Sequence, residues 1–573
     1  MKTDHRLSVA LCGILLLALA GFFPSGDIES ALLGKADGQL AWGPTLFRAL
    51  LVIHGLALLA WSYLATRTSP SEPVYIGDAD QRDVLRPYLW LALLCVIGLA
   101  LRLYKLETCL WIDEMLTLVD FLRKPLPEIV TMFPSQNQHM LYSVLGRICV
   151  VLGDESAATA RLPAVFFGVA SIPALFLLGR RMIGAREALL ACAIMTFSYH
   201  HVWFSQSARG YSGLLFFTIL GTWLWLEAVR YGTPRWWIGY AVCIALGMWI
   251  HMTMLFVLAA HGLAYLGLLA TRRRTTNLEA RSPIDPGFVW KAWLAWTFCG
   301  TLTLQLHALA LPEFFRTALH EHSPDSQWLN PFWVLWESLA RLGDGGIGGI
   351  AAAIGAVVML VGWLTLCRRD WQSAIVAIVP PLLGAGTMIA LKHHLWPRFF
   401  FFCMGFFLLI AVHGGMTMVR LACTALMERS KALRIAARVG TIGCLFVAAA
   451  SATTLPRCYN PPKQDFLGAR DYVEKEMSPT DAKVAVGLAG IAFQRYFAPN
   501  WRFAQTRAEI DQLRQSHERV WLVYTLPIEL QARWRDIWDT VQQDFQEVRT
   551  FYGTLGDGHV VVCRASLASV SKR

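Results

Sequence analysis

The chain is 573 residues long, 55% hydrophobic and only 16% charged, whereas soluble domains carry roughly a quarter charged residues. That composition excludes an ordinary soluble protein and points to many membrane spans. The net charge of +11 does not indicate a nucleic-acid partner, because the Lys and Arg residues lie in short loops between apolar runs, where they report topology.

A hydrocarbon core about 30 Å thick requires about 20 apolar residues in a helix. Thirteen such runs follow one another: 7–23, 46–64, 87–104, 162–178, 188–204, 211–229, 236–250, 252–270, 288–309, 347–366, 373–391, 399–419 and 439–454. The first follows Lys2 and Arg6 and ends in Ala18-Leu19-Ala20, a small-residue pattern like a signal-peptidase site, but its length suffices to span and it is read as a retained anchor. With the amino terminus cytoplasmic, alternate loops carry the Arg clusters Arg180 to Arg186, Arg230 and Arg235, Arg272 to Arg281, Arg368-Arg369 and Arg420 to Arg438, which is the positive-inside pattern. The opposite side then receives a long loop, 105–161, the turn 206–210, the segment 312–346, the turn 392–398 and everything after residue 455. The expected organisation is therefore two extra spans and a linker (1–86), a transmembrane region (87–455) and an extracytoplasmic domain (456–573).

The tail 456–573 changes composition, with charge throughout and no spanning run. Short β-branched runs at 483–488, 519–525 and 559–563 alternate with helical patterns at 464–476, 507–515 and 527–545, an ordering that predicts a small α/β layer. The fold class expected is thus mainly α, polytopic and transmembrane, with about 13 spans and a C-terminal soluble α/β domain. Of thirteen cysteines, most fall in spans as small apolar side chains. Cys458 and Cys563 both lie in the outer tail, where a disulfide is open. The tract Gly343 to Gly349 lacks the Gly-Lys-Ser/Thr ending of a phosphate loop. His320-Glu321-His322 has no identifiable third or fourth ligand, so no metal is assigned to it; no cofactor is identified, and dependence on a divalent metal is left open.

Chemistry concentrates in the outer loops. Asp113 and Glu114 place two adjacent carboxylates just beyond the run 87–104, at a membrane edge where an ionised group is not trapped in hydrocarbon. They fit either a general base with a helper or an acidic helix start favoured by the helix dipole. Arg209, in a tight outer turn, has the guanidinium fork that holds phosphate oxygens, with interfacial snorkelling as the alternative. Arg398 carries the same pair of readings. His139 is a candidate phosphate or acceptor contact or a surface hydrogen-bonding residue. Lys105, Tyr142 and Tyr211 are candidate contacts or interface anchors, and His251 a candidate contact or helix-end hydrogen bond. Residues 115–122 and 140–151 read as amphipathic pieces that wall an interfacial cavity.

Leu110-Trp111-Ile112-Asp113-Glu114 resembles the aspartate-glutamate signature of polyprenyl-phosphate-dependent glycosyltransferases of the GT-C class, of the protein O-mannosyltransferase and aminoarabinose transferase type (glycosyltransferase family 39). In the same order, His139-Met140-Leu141-Tyr142 is similar to that family's His-Pro-Leu-Tyr stretch, Arg161-Leu162-Pro163 to its Arg-Leu-Pro, and Ser205 to Tyr211 to its Ser-Gln-Glu-Ala-Arg-x-Tyr turn. Trp249-Ile250-His251 and Pro397-Arg398-Phe399 stand where the family has a membrane-edge His and an Arg-Tyr pair. Met140, Ser207 and Phe399 depart from its proline, glutamate and tyrosine.

The resemblance implies an inner-membrane enzyme that transfers a sugar from a polyprenyl-phosphate donor to an acceptor hydroxyl on the outer face. It also implies a single inverting displacement, with Asp113 as base, Glu114 beside it, and Arg209, Arg398 and His139 near the lipid phosphate. The acceptor, whether protein, glycolipid or polymer, is left open, and no nucleic acid is implied. The alternative is a polytopic transporter or lipid-sugar flippase, which Pro380-Pro381 inside a span would suit.

Overall fold

The structure is a computed structural model that describes residues 2–35, 38–64, 85–275, 288–317, 327–334, 336 and 347–566. His320-Glu321-His322 and most of the tract 343–349 lie outside the described residues. Each of the thirteen apolar runs is helical over most of its length. Among the described residues, nine helices are long and apolar enough to cross a membrane, or ten if Leu7–Phe22 and Ser25–Leu33, bent by 87°, count as one span.

The other three runs fall short for visible reasons. Pro234–Ile250 has only 17 residues, and Phe288–His307 is diluted by Lys291, Gln305 and its Trp and Thr residues. The run 188–204 breaks into Ala185–Thr196 and Tyr199–Ser205. Backbone groups freed within a membrane need protein partners. Here Arg102 donates to the Thr196 carbonyl at 3.4 Å and the Ser451 hydroxyl to the Phe197 carbonyl at 3.0 Å.

Burial separates the core of the bundle from its rim. Ala157–Met182 and Tyr211–Tyr231 bury 67% and 72% of their apolar windows, against 11% for Gly43–Tyr63 and Ala351–Arg369. Apolar side chains left outward on the rim are stable only where lipid replaces protein. The long connection after the helix Leu85–Leu103 turns at Lys105, whose φ is +50°. It then forms the short helices Ile112–Thr117 and Leu126–Thr131 and the apolar helix Met140–Leu152.

The C-terminal domain holds a five-stranded sheet of order β2-β1-β3-β5-β4, where β1 is Ala482–Val486, β2 Arg502–Ala504, β3 Arg519–Thr525, β4 Gln546–Phe551 and β5 Val560–Ser566. β1 runs parallel to β2 and β3, while β5 is antiparallel to β3 and β4. Strand alternation sends Val484, Leu522 and Cys563 to a face covered by Ile510, Leu513 and Val541. Ala485, Val523 and Val562 face the other way, onto Phe466 and Val473. That second core is continuous with Met115 and Leu118 beneath the long loop, so the domain is seated on the end of the bundle that carries Asp113. Cys458 and Cys563 are both free thiols: one lies at the base of the domain and the other inside the sheet core.

Candidate functional site

The site is built on the one-and-a-half-turn helix Ile112–Thr117. Successive helix residues are rotated by about 100°, so the two carboxylates point apart. Glu114 turns inward and is fully buried. Arg161 clasps it from both sides, Nε to Oε1 at 2.8 Å and Nη2 to Oε2 at 2.6 Å. The backbone N–H of Ala208 donates at 2.6 Å, that of Trp111 at 3.3 Å, and Lys463 Nζ lies at 3.3 Å. Burial alone would raise this carboxyl, but the charges of Arg161 and Lys463 outweigh it and hold it at about 2. Glu114 therefore acts as an anchor, with its lone pairs committed. Arg161 spends its remaining donors on the carbonyls of Leu106, Thr108 and Cys109 and on the Thr108 hydroxyl, which fixes the chain leading into the site.

Asp113 turns the other way and keeps part of its carboxylate exposed, with Oδ2 at 3.3 Å from Arg398 Nη1. The Arg398 guanidinium lies over Trp111, Trp396 and Phe399, at 5.0–5.7 Å from their ring centres, a stack that desolvates the cation without neutralising it. One turn on, the Thr117 hydroxyl donates to the Asp113 carbonyl at 2.8 Å and receives Arg209 Nη1 at 3.0 Å. Arg209 also donates to the Asn137 carbonyl at 2.7 Å. Asp113, Arg398 and Arg209 are thus brought to one face of one helix.

His139 completes this group. Its Nδ1 accepts from the Gly210 N–H at 2.8 Å, so the neutral ring carries its proton on Nε2, which lies 3.3 Å from an Arg209 Nη2 that is also a donor. Burial, then Arg209, His251 and Arg398, keep His139 well below the ordinary imidazole range. His251 packs 4.7 Å away ring to ring, its Nδ1 held by the Thr253 hydroxyl at 2.9 Å, and burial and Arg209 hold it at about 3. Tyr211 presses edge-on against His139 at 5.5 Å.

Two residues singled out in the sequence make their hydrogen bonds away from Asp113. Tyr142 is fully buried and donates to the Ala160 carbonyl at 2.7 Å. Lys105 is exposed, reaching Asn460 Oδ1 at 3.4 Å.

Several buried donors around Asp113 have no acceptor: Trp111 Nε1, Asn137 Nδ2, Arg209 Nε and Arg398 Nε. Unsatisfied buried N–H groups are costly. Together with the His139–Arg209 donor pair, they form a lining suited to an anion with several oxygens. Among the described residues no group of three or more His, Cys, Asp or Glu side chains could hold a metal ion.

The C-terminal domain supplies parts that no local motif announces. Lys463, buried, donates to the Gln206 carbonyl and the Ser207 hydroxyl and lies 4.9 Å over Trp203. Gln464 accepts from the Ile112 N–H at 2.8 Å and donates to Thr525 Oγ1 at 3.0 Å. Just beyond Thr525, Leu526 adopts φ +51° and starts the helix Pro527–Arg533. On it Glu529 is held by Arg533 at 2.7 Å and leaves Oε2 buried and unpaired, close enough to Arg398 for the two charges to interact. Arg161 entered the sequence reading as part of the Arg-Leu-Pro resemblance at a span start, without a role of its own. The available signal was an Arg at the start of a span, in Arg161-Leu162-Pro163, with the Glu114 carboxylate upstream in the same loop.

Fold and site together define a polytopic helical membrane protein with an α/β domain seated over an open Asp113 paired with Arg398 and a buried Glu114 held by Arg161 and Lys463. Residues 140–281 match the family model described as dolichyl-phosphate-mannose-protein mannosyltransferase, an interval that contains Arg161, Arg209, Tyr211 and His251 and leaves Asp113, Glu114, His139 and Arg398 outside. No curated protein matches the chain. Among solved structures, ArnT from Cupriavidus metallidurans in the apo state is similar at TM-score 0.47 and 13% identity, covering 83% of this chain and 98% of its own. The oligosaccharyltransferase AglB from Archaeoglobus fulgidus, in complex with an inhibitory peptide and a dolichol-phosphate, aligns at 0.43 and 12%, covering 86% and 75%. The arabinosyltransferase EmbB from Mycobacterium smegmatis aligns at 0.40 and 12%, covering 72% and 43%.

Proposed function

We infer that the protein is a glycosyltransferase that moves a sugar from a polyprenyl-phosphate donor to an acceptor hydroxyl at the outer face of the membrane, with Asp113 as general base. The observation that carries this reading is the set of unpaired donors around Asp113. Trp111, Asn137, Arg209 and Arg398 each offer a buried N–H without an acceptor, and a lipid phosphate supplies the oxygens they lack. The family matched by residues 140–281 uses a lipid-phosphate sugar by its description, which agrees with that chemistry.

In this mechanism the acceptor O–H gives its proton to an Asp113 carboxylate oxygen as the hydroxyl oxygen bonds to the anomeric carbon. The bond from that carbon to the phosphate oxygen breaks on the opposite side, and its electron pair leaves with the phosphate. Arg209, the His139 Nε2–H and Arg398 receive the growing negative charge in a site already organised before the reaction. A single displacement of this kind inverts the anomeric centre. Glu114 and Arg161 act by holding the helix that carries Asp113.

The test pairs transfer with binding. Purified protein and a labelled undecaprenyl-phosphate sugar are incubated with membrane extract, and retention of undecaprenyl phosphate is measured separately. Asp113→Asn is expected to lose on the order of 10²–10⁴-fold in transfer while still retaining the lipid phosphate. Equal transfer by variant and wild type would remove Asp113 as the base.

A further inference from the structure

A cavity of about 570 Å³ lies at the other end of the bundle, lined by Arg186, Glu187, Met416, Arg420, Arg429 and Leu433. The turn Ile183–Ala185 at its edge ends the 26-residue helix Ala157–Met182, whose first turns hold Arg161. At about 1.5 Å per residue that helix is about 39 Å long, enough to put the cavity at the opposite membrane surface from Asp113. The helix Met404–Leu426, which starts just after Arg398, reaches the same cavity through Arg420.

Three guanidinium groups and one carboxylate line this cavity. Arg186 is braced on the helix Arg429–Ala452 by the Ala437 carbonyl at 2.7 Å and the Thr441 hydroxyl at 2.8 Å. Glu187 is shared between His413 Nδ1 at 2.8 Å and Arg420 Nη2 at 3.4 Å. The Arg429 side chain makes no hydrogen bond or ion pair with any described residue, although it lines the cavity. An Arg at a span end normally snorkels outward as a topology signal. These three border one half-open space whose remaining walls include the apolar Met416, Leu433 and Ala436. On the wall helix Arg429–Ala452 the lining residue Leu433 is itself 44% exposed, so the cavity opens past an apolar side chain.

We propose that this cavity binds the phosphate headgroup of an anionic phospholipid from the leaflet opposite Asp113. Excess positive charge selects an anion, the planar forks suit phosphate oxygens, and the apolar walls suit a ligand with an acyl tail. Inorganic phosphate shares the first two features and lacks the third, which separates the two sources.

The test is native mass spectrometry of the full chain released from nanodiscs of phosphatidylcholine alone or with phosphatidylglycerol mixed in. Wild type is expected to retain phosphatidylglycerol and not phosphatidylcholine. Arg429→Gln, which removes a side chain without structural partners, is expected to lower that retention about tenfold, as loss of one charge-assisted contact predicts. Arg186→Gln/Arg429→Gln is expected to abolish it. Equal retention of phosphatidylglycerol by wild type and Arg429→Gln, equal retention of the two lipids by wild type, or displacement of phosphatidylglycerol by inorganic phosphate would each overturn the proposal.

Discussion

At the scale of single residues, two neighbouring carboxylates have opposite duties because a helix turns between them. Asp113 keeps an open side toward Arg398, whereas Glu114 is consumed by Arg161, Lys463 and two backbone N–H groups. That difference has a pH signature. Glu114 is held at about 2 in the fold, below its ordinary 4.5, so its contribution to stability is full above pH 4.5 and is lost as pH falls from there toward about 2. Lys463 is pushed by burial from 10.5 to about 7. Between those values the unfolded chain binds the extra proton, so stability rises with pH across that window. Thermal unfolding followed by intrinsic fluorescence is expected to show both limbs in the detergent-solubilised protein. Glu114→Gln should flatten the acid limb and Lys463→Met the alkaline one.

At the scale of elements, the turn between Tyr199–Ser205 and Tyr211–Tyr231 matters because Gly210 lets two helices and a loop meet. A Cβ there would lie 2.8 Å from His139 Nδ1 and 3.1 Å from the Ile250 carbonyl. The contact is tighter than carbon tolerates, and the neighbour is the ring that accepts the Gly210 N–H. Gly210→Ala should therefore cost about 1–3 kcal/mol in stability and weaken retention of undecaprenyl phosphate by moving His139 and Arg209. Unchanged lipid retention together with an unchanged melting temperature would show that the turn has slack. The helix break at residues 197–198 follows the same logic: two freed carbonyls survive because Arg102 and Ser451 reach them.

At the scale of the whole molecule, the C-terminal domain is part of the site's architecture. Gln464 joins the first N–H of the Asp113 helix to the end of β3, bridging 352 residues on one side and 61 on the other. Gln464→Leu would strand the buried Ile112 N–H, while Thr525 Oγ1 keeps its bonds to the Gly558 and His559 carbonyls, a loss of about 1–3 kcal/mol. It is expected to speed proteolysis between residues 456 and 465 and to reduce transfer, while leaving unfolding of the helical bundle unchanged. Proteolysis at the wild-type rate would separate Gln464 from domain seating.

Legibility followed the range of the forces involved. The apolar runs, the sheet domain and the loop carrying Asp113-Glu114 were readable because each depends on composition or periodicity within a few tens of residues. β2 and β4 were missed because Arg502–Ala504 is very short and Gln546–Phe551 is an edge strand of polar pattern. Among the described residues thirteen runs gave nine clear spans, because a run of apolar residues does not register a bend, a break, a short helix or dilution by polar side chains. The sequence by itself determined that this is a polytopic membrane protein with charge kept at one surface, since hydrophobic burial in lipid and in a sheet is a local property of the chain. Only the tertiary structure decided that Glu114 is an anchor and Asp113 the open carboxylate. Ion pairing between Glu114 and Lys463, 349 residues apart, depends on how the domain is seated, which no local pattern encodes.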